Sequence, residues 1–247
     1  DEVVSGPGVH VPVHRRRIAV LEQRSLLFEH LSVLDNVAFG LRARGVPSDE
    51  ARQRALTELE AVGCGALADS RAWEVSGGQA QRIAIARALA TDPRLVLLDE
   101  PLAALDVSVA PAIRSLLRAR VRDEGRTALL VTHDAVDALA LAGDLAVVEG
   151  GRVVATGPVA DLLSRPTTPF LADLVGMNLL VGEASEADAI TLPTGARVVG
   201  VVDGELGHRQ QAIASFPPAA VAVHTAEPSG SPRNHLRATV RGIEPRG

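Results

Sequence analysis

Two unbroken apolar runs, separated by a helical pattern, constrain the fold of this chain most strongly. The runs cover residues 95–98 and 128–131, and the helical pattern between them covers about 107–121. Neither run alternates apolar with polar residues, which is typical of strands buried on both faces of a parallel sheet. Helices that alternate with such strands predict an α/β layer fold. A chain of 247 residues is long enough for one large domain or two modest ones.

Helical patterns also precede the first of these strands. The short apolar segment 17–22 predicts a strand, and Ser32 is expected to cap a helix that stops near Gly45, after which a second helix follows. A third helix, rich in Ala and Ile, is predicted over 79–90. A Thr-Asp-Pro stop ends it, because proline lacks a donor and restricts the residue before it. We therefore expect a helical subdomain at about 32–90.

Past residue 175 the helical signals stop and short strand candidates follow, punctuated by Gly and Pro. The candidates are residues 179–182, 190–192, 197–202, 220–223 and 236–240, after a hairpin with strands at 144–148 and 152–155. This pattern predicts a small all-β domain of barrel type that is incomplete, because the last strand has nothing left to pair with. The predicted domains are therefore residues 1–175 and 176–247.

Composition excludes several classes of function. The formal net charge of −5 argues against a nucleic-acid partner held by general electrostatics, and a chain without Tyr and with one Trp lacks stacking platforms for single strands. Charged residues interrupt every apolar stretch well before the roughly 18 residues that a membrane span needs. The single cysteine, Cys64, excludes an internal disulfide.

Four short motifs carry the chemistry, and they occur in one order. They are Val75-Ser76-Gly77-Gly78-Gln79, the strand ending in Asp99-Glu100, Ala104-Leu105-Asp106, and Val131-Thr132-His133. Glycines immediately before a helix offer backbone N–H groups and a positive dipole end to a phosphate. A buried strand delivers Asp99 and Glu100 to the sheet edge where ligands bind in open α/β folds. A Ser-capped helix or an exposed acid pair would explain one motif alone, whereas the ordered set predicts a phosphate-handling site.

In this order the motifs resemble those of the nucleotide-binding subunits of ATP-binding-cassette (ABC) transporters. The resemblance implies a P-loop NTPase-like fold that hydrolyses ATP with Mg²⁺. By the same resemblance, Asp99 holds the Mg²⁺, Glu100 orients and deprotonates the attacking water, and His133 contacts the γ-phosphate and steadies Glu100. Positioning and charge stabilisation of this kind suffice for phosphoryl transfer.

The resemblance also implies a second copy of the chain. In the family, the loop that matches Ser76, Gly77, Gly78 and Gln79 contacts the γ-phosphate of ATP held by the opposite subunit. Asp106 matches the loop that crosses to the partner's site. The expected assembly is thus a head-to-tail homodimer with ATP between the subunits.

Residues after the first strand resemble the part of the family that senses the membrane partner. Gln23 matches the glutamine that touches Mg²⁺ and the lytic water, and segments 26–33 and 36–40 resemble the region of importers that docks on the permease. Glu29 stands where family members often have Pro. The implied protein is peripheral at the cytoplasmic face of a bacterial membrane, with permease subunits as partners and a periplasmic or lipid-anchored substrate-binding protein as an indirect partner.

One part of the family's machinery is not in this sequence. The chain contains no lysine, since all 25 basic residues are Arg, so the phosphate-binding loop G-x-x-x-x-G-K-[ST] cannot lie within it. The chain begins at Asp1, without an initiator Met or a leader. We therefore expect an N-terminally truncated fragment that is inactive alone.

The second half of the chain indicates which members of the family it resembles most. Segment 175–180 followed by a β domain resembles importers with a C-terminal oligonucleotide-fold-like (TOBE/MOP-type) regulatory domain, which carry molybdate, sulfate, iron, sugars or polyamines. Segments 216–223 and 231–234 most resemble molybdate-importer ATPases, in which the C-terminal domain can bind the oxyanion. Molybdate import is the first hypothesis. The alternatives are another importer of this architecture and a non-hydrolysing oxyanion-sensing module.

Overall fold

The computed structural model describes residues 3–203, 207, 209–225 and 233–239. Two compact units make up the chain, Asp1–Gly143 and Asp144–Gly247. The domain boundary predicted after residue 175 stays a prediction. Every helix in the described ranges is too short or too polar to cross a lipid bilayer.

The first unit contains a parallel sheet and a group of helices. In chain order its strands and helices are β1 (Ser5–Gly6), β2 (Val9–His10), β3 (Ile18–Leu21), α1 (Val33–Ala43), α2 (Ser48–Ala61), α3 (Gly77–Ala90), β4 (Leu95–Asp99), α4 (Ala110–Arg118), β5 (Thr127–Val131) and α5 (Ala135–Leu141). A five-residue π-turn, Ala119–Asp123, extends α4. The helix predicted over 107–121 is therefore shorter than expected and changes its hydrogen bonding near its end.

The predicted parallel sheet is present. Its strand order is β3-β4-β5, with Leu98 opposite Leu21 on one side and Leu130 on the other. Because all three strands run the same way, their carboxyl ends meet at one edge. Whatever follows Leu21, Asp99 and Val131 along the chain must therefore lie near that edge.

Only one face of the sheet is buried, which corrects the expectation from the apolar runs. Leu21, Val96 and Leu98 belong to the main apolar core together with side chains of α1 to α4. On the opposite face Val20, Leu129 and Val131 are 56%, 61% and 54% exposed. The helices contribute their apolar side chains to the first face, so the apolar residues of the second face remain in contact with solvent within the described chain.

Serine caps mark the starts of two of the three long helices, and a proline precedes the third. Ser32 accepts a hydrogen bond from Asp35 N at 3.0 Å and starts α1 as predicted. α2 follows Pro47, and its buried Ala51, Ala55 and Leu59 recur at intervals of four residues, which places them on one face. α3 starts two residues before the predicted position, directly after Ser76.

The second unit is mostly β-structure. It contains β6 (Asp144–Glu149), β7 (Arg152–Pro158), α6 (Val159–Ser164), α7 (Pro169–Leu174), β8 (Asn178–Glu186), β9 (Ala189–Thr191), β10 (Arg197–Val199) and β11 (Gln211–Phe216). The predicted hairpin is formed by β6 and β7, with Gly150 and Gly151 both at positive φ in the turn, as tight two-residue hairpins require. The other four strands form an antiparallel sheet in the order β10-β9-β8-β11.

Two strand predictions in this unit are wrong and one strand was missed. In segment 220–223, Ala220 ends a 3-10 turn, Pro218–Ala220, and residues 221–223 have no regular structure. Pro217 and Pro218 restrict the backbone immediately before the segment and favour the turn. Residues 236–239 form no strand, and Val240 lies outside the described residues. β11 pairs with β8 instead; its sequence alternates weakly and carried little strand signal.

Candidate functional site

The carboxyl edge of the β3-β4-β5 sheet gathers the predicted catalytic residues. Asp99 is the last residue of β4 and pairs with Val131 of β5, so the turn at Glu100 and the segment at His133 leave the sheet side by side. Gln23 follows the end of β3 by two residues. This edge is the one at which open α/β folds bind ligands.

Glu100 and His133 form the central contact of this edge. His133 Nδ1 donates to Glu100 Oε1 at 2.6 Å, although the residues are separated by 33 positions in sequence. The Glu100 side chain is 17% exposed and that of His133 is 71% exposed. The hydrogen bond to Glu100, and then the negative charge of Glu100, raise the pKa of His133 above 6.5. The imidazole is therefore held against the carboxylate while its other nitrogen faces outward.

The backbone of Glu100 adopts an unusual conformation. Its φ is 48°, in the left-handed region that residues other than glycine rarely adopt because it costs them roughly 1–2 kcal/mol. Glu100 N donates to Val131 O at 3.0 Å, which ties the turn to the end of β5. Strain of this kind is typical of functional sites, because only a surrounding structure that fixes the residue can maintain it. No sequence pattern predicted this strained conformation.

Asp99 supplies a free carboxylate at the same edge. It is exposed at the end of β4. Across the described ranges, no three His, Cys, Asp or Glu side chains form a group that could by itself hold a metal ion. Mg²⁺ usually retains several waters and is bound by one or two carboxylates plus substrate phosphates. The single exposed Asp99 therefore fits a Mg²⁺ carried by a nucleotide better than a site made wholly of protein ligands.

The glycine motif forms the start of α3. Ser76 Oγ accepts from Gln79 N at 3.3 Å, and Gln79 Oε1 accepts from Ser76 N at 2.7 Å, which together make a capping box. Ser76 and Gly77 are exposed, and the hydroxyl hydrogen of Ser76 remains available to an acceptor. A Cβ on Gly78 would lie 3.2 Å from Ala104 O, so the glycine allows α3 to approach the segment that leads to Asp106.

Two predicted site residues are not in direct contact with the Glu100–His133 pair. Gln23 is exposed, and Asp106 is exposed with its carbonyl accepting from Val109 N and Ala110 N at the start of α4. Both are exposed, and their predicted roles toward Mg²⁺ and a second subunit stay predictions.

A buried ion pair behind His133 was missed by sequence reasoning. Arg114 of α4 donates to Asp137 of α5, with Nη2 and Nε at 2.6 and 2.7 Å from Oδ1. Asp137 is 5% exposed, and burial raises its pKa although Arg114 opposes the shift. Asp134 caps the same helix by accepting from Val136 N and Asp137 N. The helix cap could have been predicted from the Asp that follows His133. The Arg114–Asp137 pair joins residues 23 positions apart and had no signal in the sequence.

The chain matches a family model described as ABC transporter over residues 7–103. It is 44% identical over 244 residues to the molybdenum import ATP-binding protein ModC of Mycobacterium tuberculosis, covering 97% of this chain and 66% of that protein. The chain therefore spans slightly less than two thirds of this relative. It is 42% identical over 202 residues to the spermidine/putrescine import ATP-binding protein PotA of Frankia alni, covering 82% and 43%.

Solved structures also resemble this chain, and one of them is similar in both fold and sequence. It is a dimeric post-hydrolysis state of the ATP-binding cassette MJ0796 bound to ADP and Pi, with a TM-score of 0.56 and 32% identity over 59% of this chain and 65% of the other. The match bears out the predicted α/β cassette fold.

Proposed function

Because the chain belongs to the family of ABC transporter ATP-binding proteins, we propose that it is part of the energy-coupling ATPase subunit of an importer. The hydrogen bond between His133 and Glu100 carries this proposal. A carboxylate fixed at the carboxyl edge of a parallel sheet, on a strained turn, is suited to bind a water molecule and accept its proton.

Each residue of the edge has a part in the proposed hydrolysis of ATP. Glu100 orients the attacking water and accepts its proton, while His133 holds the Glu100 carboxylate and presents its outer nitrogen to the γ-phosphate. Asp99, with Gln23, would hold Mg²⁺, which when bound neutralises charge on the phosphates. None of these roles requires a covalent intermediate with the protein.

The exposed start of α3 supports a dimeric site. The capping box uses the N–H groups of Ser76 and Gln79, which leaves the N–H groups of Gly77 and Gly78 and the Ser76 hydroxyl hydrogen for an outside acceptor, and Ser76 and Gly77 are exposed. We propose that these groups bind the γ-phosphate of ATP held by a second copy, with Asp106 at the same interface. The related cassette MJ0796 is dimeric in its solved structure. The partner permease is proposed to dock on the segments 26–33 and 36–40, at the cytoplasmic face of the membrane.

The proposal requires a phosphate-binding lysine that is not among these 247 residues. A P-loop would have to come from sequence outside them. The same missing lysine is what favours the second candidate, a non-hydrolysing module that senses an oxyanion. A P-loop in the full-length product of the gene would remove that second candidate.

The proposed cargo is molybdate. The molybdenum-import relative matches more of this chain than the polyamine-import relative does, 97% against 82%, at similar identity. Within the second unit a groove of about 510 Å³ along β8 and β9 is lined by the donors Arg209, Thr191 and Gln211, and also by Glu183. Arginine and hydroxyl donors suit a tetrahedral dianion. Importers of sulfate, iron, sugars or polyamines remain the alternative.

The general base is tested by Glu100→Gln in the full-length product of the gene that encodes this chain. We expect ATP binding to persist and phosphate release to fall by about 10²- to 10⁴-fold, because glutamine cannot accept the proton. Size-exclusion chromatography with ATP should then reveal a trapped dimer. The matched control, Glu50→Gln at the exposed start of α2, should hydrolyse ATP normally. Unchanged hydrolysis in Glu100→Gln would overturn the assignment of the base.

The cargo is tested by calorimetric titration of the same full-length product with molybdate, tungstate, sulfate and spermidine. We expect molybdate and tungstate to bind and sulfate to bind at least about tenfold more weakly, a difference of 1.4 kcal/mol. Arg209→Gln should weaken molybdate binding if the groove is the site. Preference for sulfate or spermidine would replace molybdate with the corresponding alternative.

A further inference from the structure

Gln81 is a buried amide in the second turn of α3 that the proposed reaction does not use. It is 1% exposed, although it lies only five positions after the exposed Ser76. Burying an amide is unfavourable unless its donors and acceptors are paired. The partners of Gln81 therefore indicate what the residue does.

The amide of Gln81 joins two segments that are distant in sequence. Its Oε1 accepts from Ser25 Oγ at 2.9 Å, and its Nε2 donates to Pro101 O at 3.1 Å. Ser25 lies two residues after Gln23, and Pro101 directly follows Glu100. One side chain thus connects the loop after β3, the strained turn after β4 and the helix that begins with the glycine motif.

A second residue of α3 fastens the same loop. Arg87 Nη1 donates to Leu26 O at 3.0 Å and Nη2 to Ser25 O at 3.4 Å. Its guanidinium also lies 5.3 Å from the centre of the Phe28 ring, within cation–π range. The loop after β3 is therefore bound to α3 by both Gln81 and Arg87. The turn after Glu100 is bound to α3 by the Gln81 amide.

We propose that Gln81 is a positioning residue for the reaction: it fixes the turn that carries Glu100 relative to α3 and to the loop after Gln23. The inference rests on the proposed ATPase function. Pro101 O is one peptide unit from the Glu100 Cα, whose φ of 48° has to be maintained by its surroundings. A displacement near 1 Å at a reacting group can lower turnover by as much as about 10²-fold.

Gln81→Met in the full-length product tests the inference, because methionine keeps the volume and unbranched shape of glutamine while removing both hydrogen bonds. We expect kcat for ATP hydrolysis to fall by about tenfold or more with KM for ATP unchanged within about twofold, since the nucleotide contacts are untouched. Arg82→Met is the matched control. Arg82 is the next residue of α3, and its guanidinium binds Val62 O and Gly63 O, away from Glu100.

Amide hydrogen exchange of the nucleotide-free protein gives a readout that does not depend on activity. Gln81→Met should accelerate exchange by about tenfold in peptides spanning 22–28 and 100–105 together, whereas Arg82→Met should accelerate only peptides around 61–67. A general loss of stability would instead accelerate all core peptides alike.

Three outcomes would overturn the inference or its basis. If Gln81→Met retains kcat within twofold, or slows no more than Arg82→Met does, Gln81 is merely structural. If Gln81→Met does not fold, Ser25→Ala, which removes one of the two bonds at a half-buried loop, should still lower kcat by about threefold; an unchanged kcat refutes the coupling. An unmodified protein that does not hydrolyse ATP would refute the proposed function itself.

Discussion

Replacing Arg114 by methionine removes the cation of the buried ion pair that joins α4 to α5, the helix that begins two residues after His133. Arg114 makes two contacts of 2.6 and 2.7 Å with the same oxygen of Asp137. The Arg114 side chain is 19% exposed and the Asp137 side chain 7% exposed. Methionine preserves most of the packing of the arginine stem but leaves the Asp137 carboxylate in a buried position without its cation.

The magnitude follows from the burial of the carboxylate that remains. Removing one partner of a buried pair costs about 3–5 kcal/mol, and the partial exposure of Arg114 places this pair near the lower limit. We therefore expect the free energy of unfolding of the first unit to fall by about 3 kcal/mol at pH 7.5. The double variant Arg114→Met/Asp137→Asn should recover more than half of this loss in the free energy of unfolding, because the buried amide that remains carries no charge.

The loss depends on pH with a definite sign. Burial already raises the pKa of Asp137, and removing Arg114 raises it further, because the arginine is the group that opposes the shift. An acid with a raised pKa in the folded state takes up its proton more readily there than in the unfolded chain, so the cost of its charge is relieved as pH falls through that pKa. The destabilisation by Arg114→Met should accordingly be smaller at pH 5 than at pH 7.5.

Urea unfolding followed by tryptophan fluorescence measures this in the relevant unit. Trp73 is the only tryptophan of the chain and lies in the first unit, 66% exposed. Arg54→Met serves as control: its half-exposed partner Glu50 lies 3.8 Å away one turn earlier, and such surface pairs contribute at most about 0.5 kcal/mol. Equal losses for both variants, or a larger loss at pH 5, would refute the reasoning.

Three further predictions concern the site and the second unit. In the 247-residue chain, NMR titration should give His133 a pKa above 6.5. The charged His133–Glu100 pair exists below this raised pKa and is lost as pH rises through it, so the pKa should fall toward 6.5 in Glu100→Gln, where the pair cannot form. An unchanged pKa would contradict the contact. The same chain alone should release no phosphate from ATP above background, since it has no P-loop lysine. Gly182→Ala should destabilise the second unit by roughly 1–3 kcal/mol in thermal unfolding, because the Cβ of the alanine would lie 2.6 Å from Thr191 O. The control Gly200→Ala has open space around the added Cβ and should change the free energy of unfolding by less than about 0.5 kcal/mol.

The parts of the fold that the sequence predicted are those fixed by local chemistry. Ser32 marked the start of α1 because a hydroxyl at that position accepts from the backbone N–H three residues on. The parallel strands β4 and β5 were visible as apolar runs between helices. Asp99 and Glu100 could be placed at the sheet edge for the same reason: they directly follow a strand.

The parts that the sequence did not predict depend on contacts between distant segments. β11 is stabilised by its pairing with β8 rather than by its own alternation, and prolines before 220–223 outweighed the apolar residues there. The burial of only one sheet face could not be read from β5, because an apolar run has the same appearance whether one or both faces are covered. Gln81 looked like an ordinary helix residue until Ser25 and Pro101 were seen on either side of it.

The proposed site residues are exposed, whereas Gln81 and Asp137 are buried, and this difference bears on the proposed catalysis. His133 is 71% exposed, and Ser76 and Gly77 also face solvent, whereas Gln81 and Asp137 behind them are 1% and 5% exposed. The buried residues do not keep bulk water away from the exposed ones. Electrostatic stabilisation of a phosphoryl transition state is effective when water is excluded. A single described chain leaves His133 exposed. Under the proposed function a second surface has to close over it, and the surface that we propose is the exposed start of α3 on a second copy.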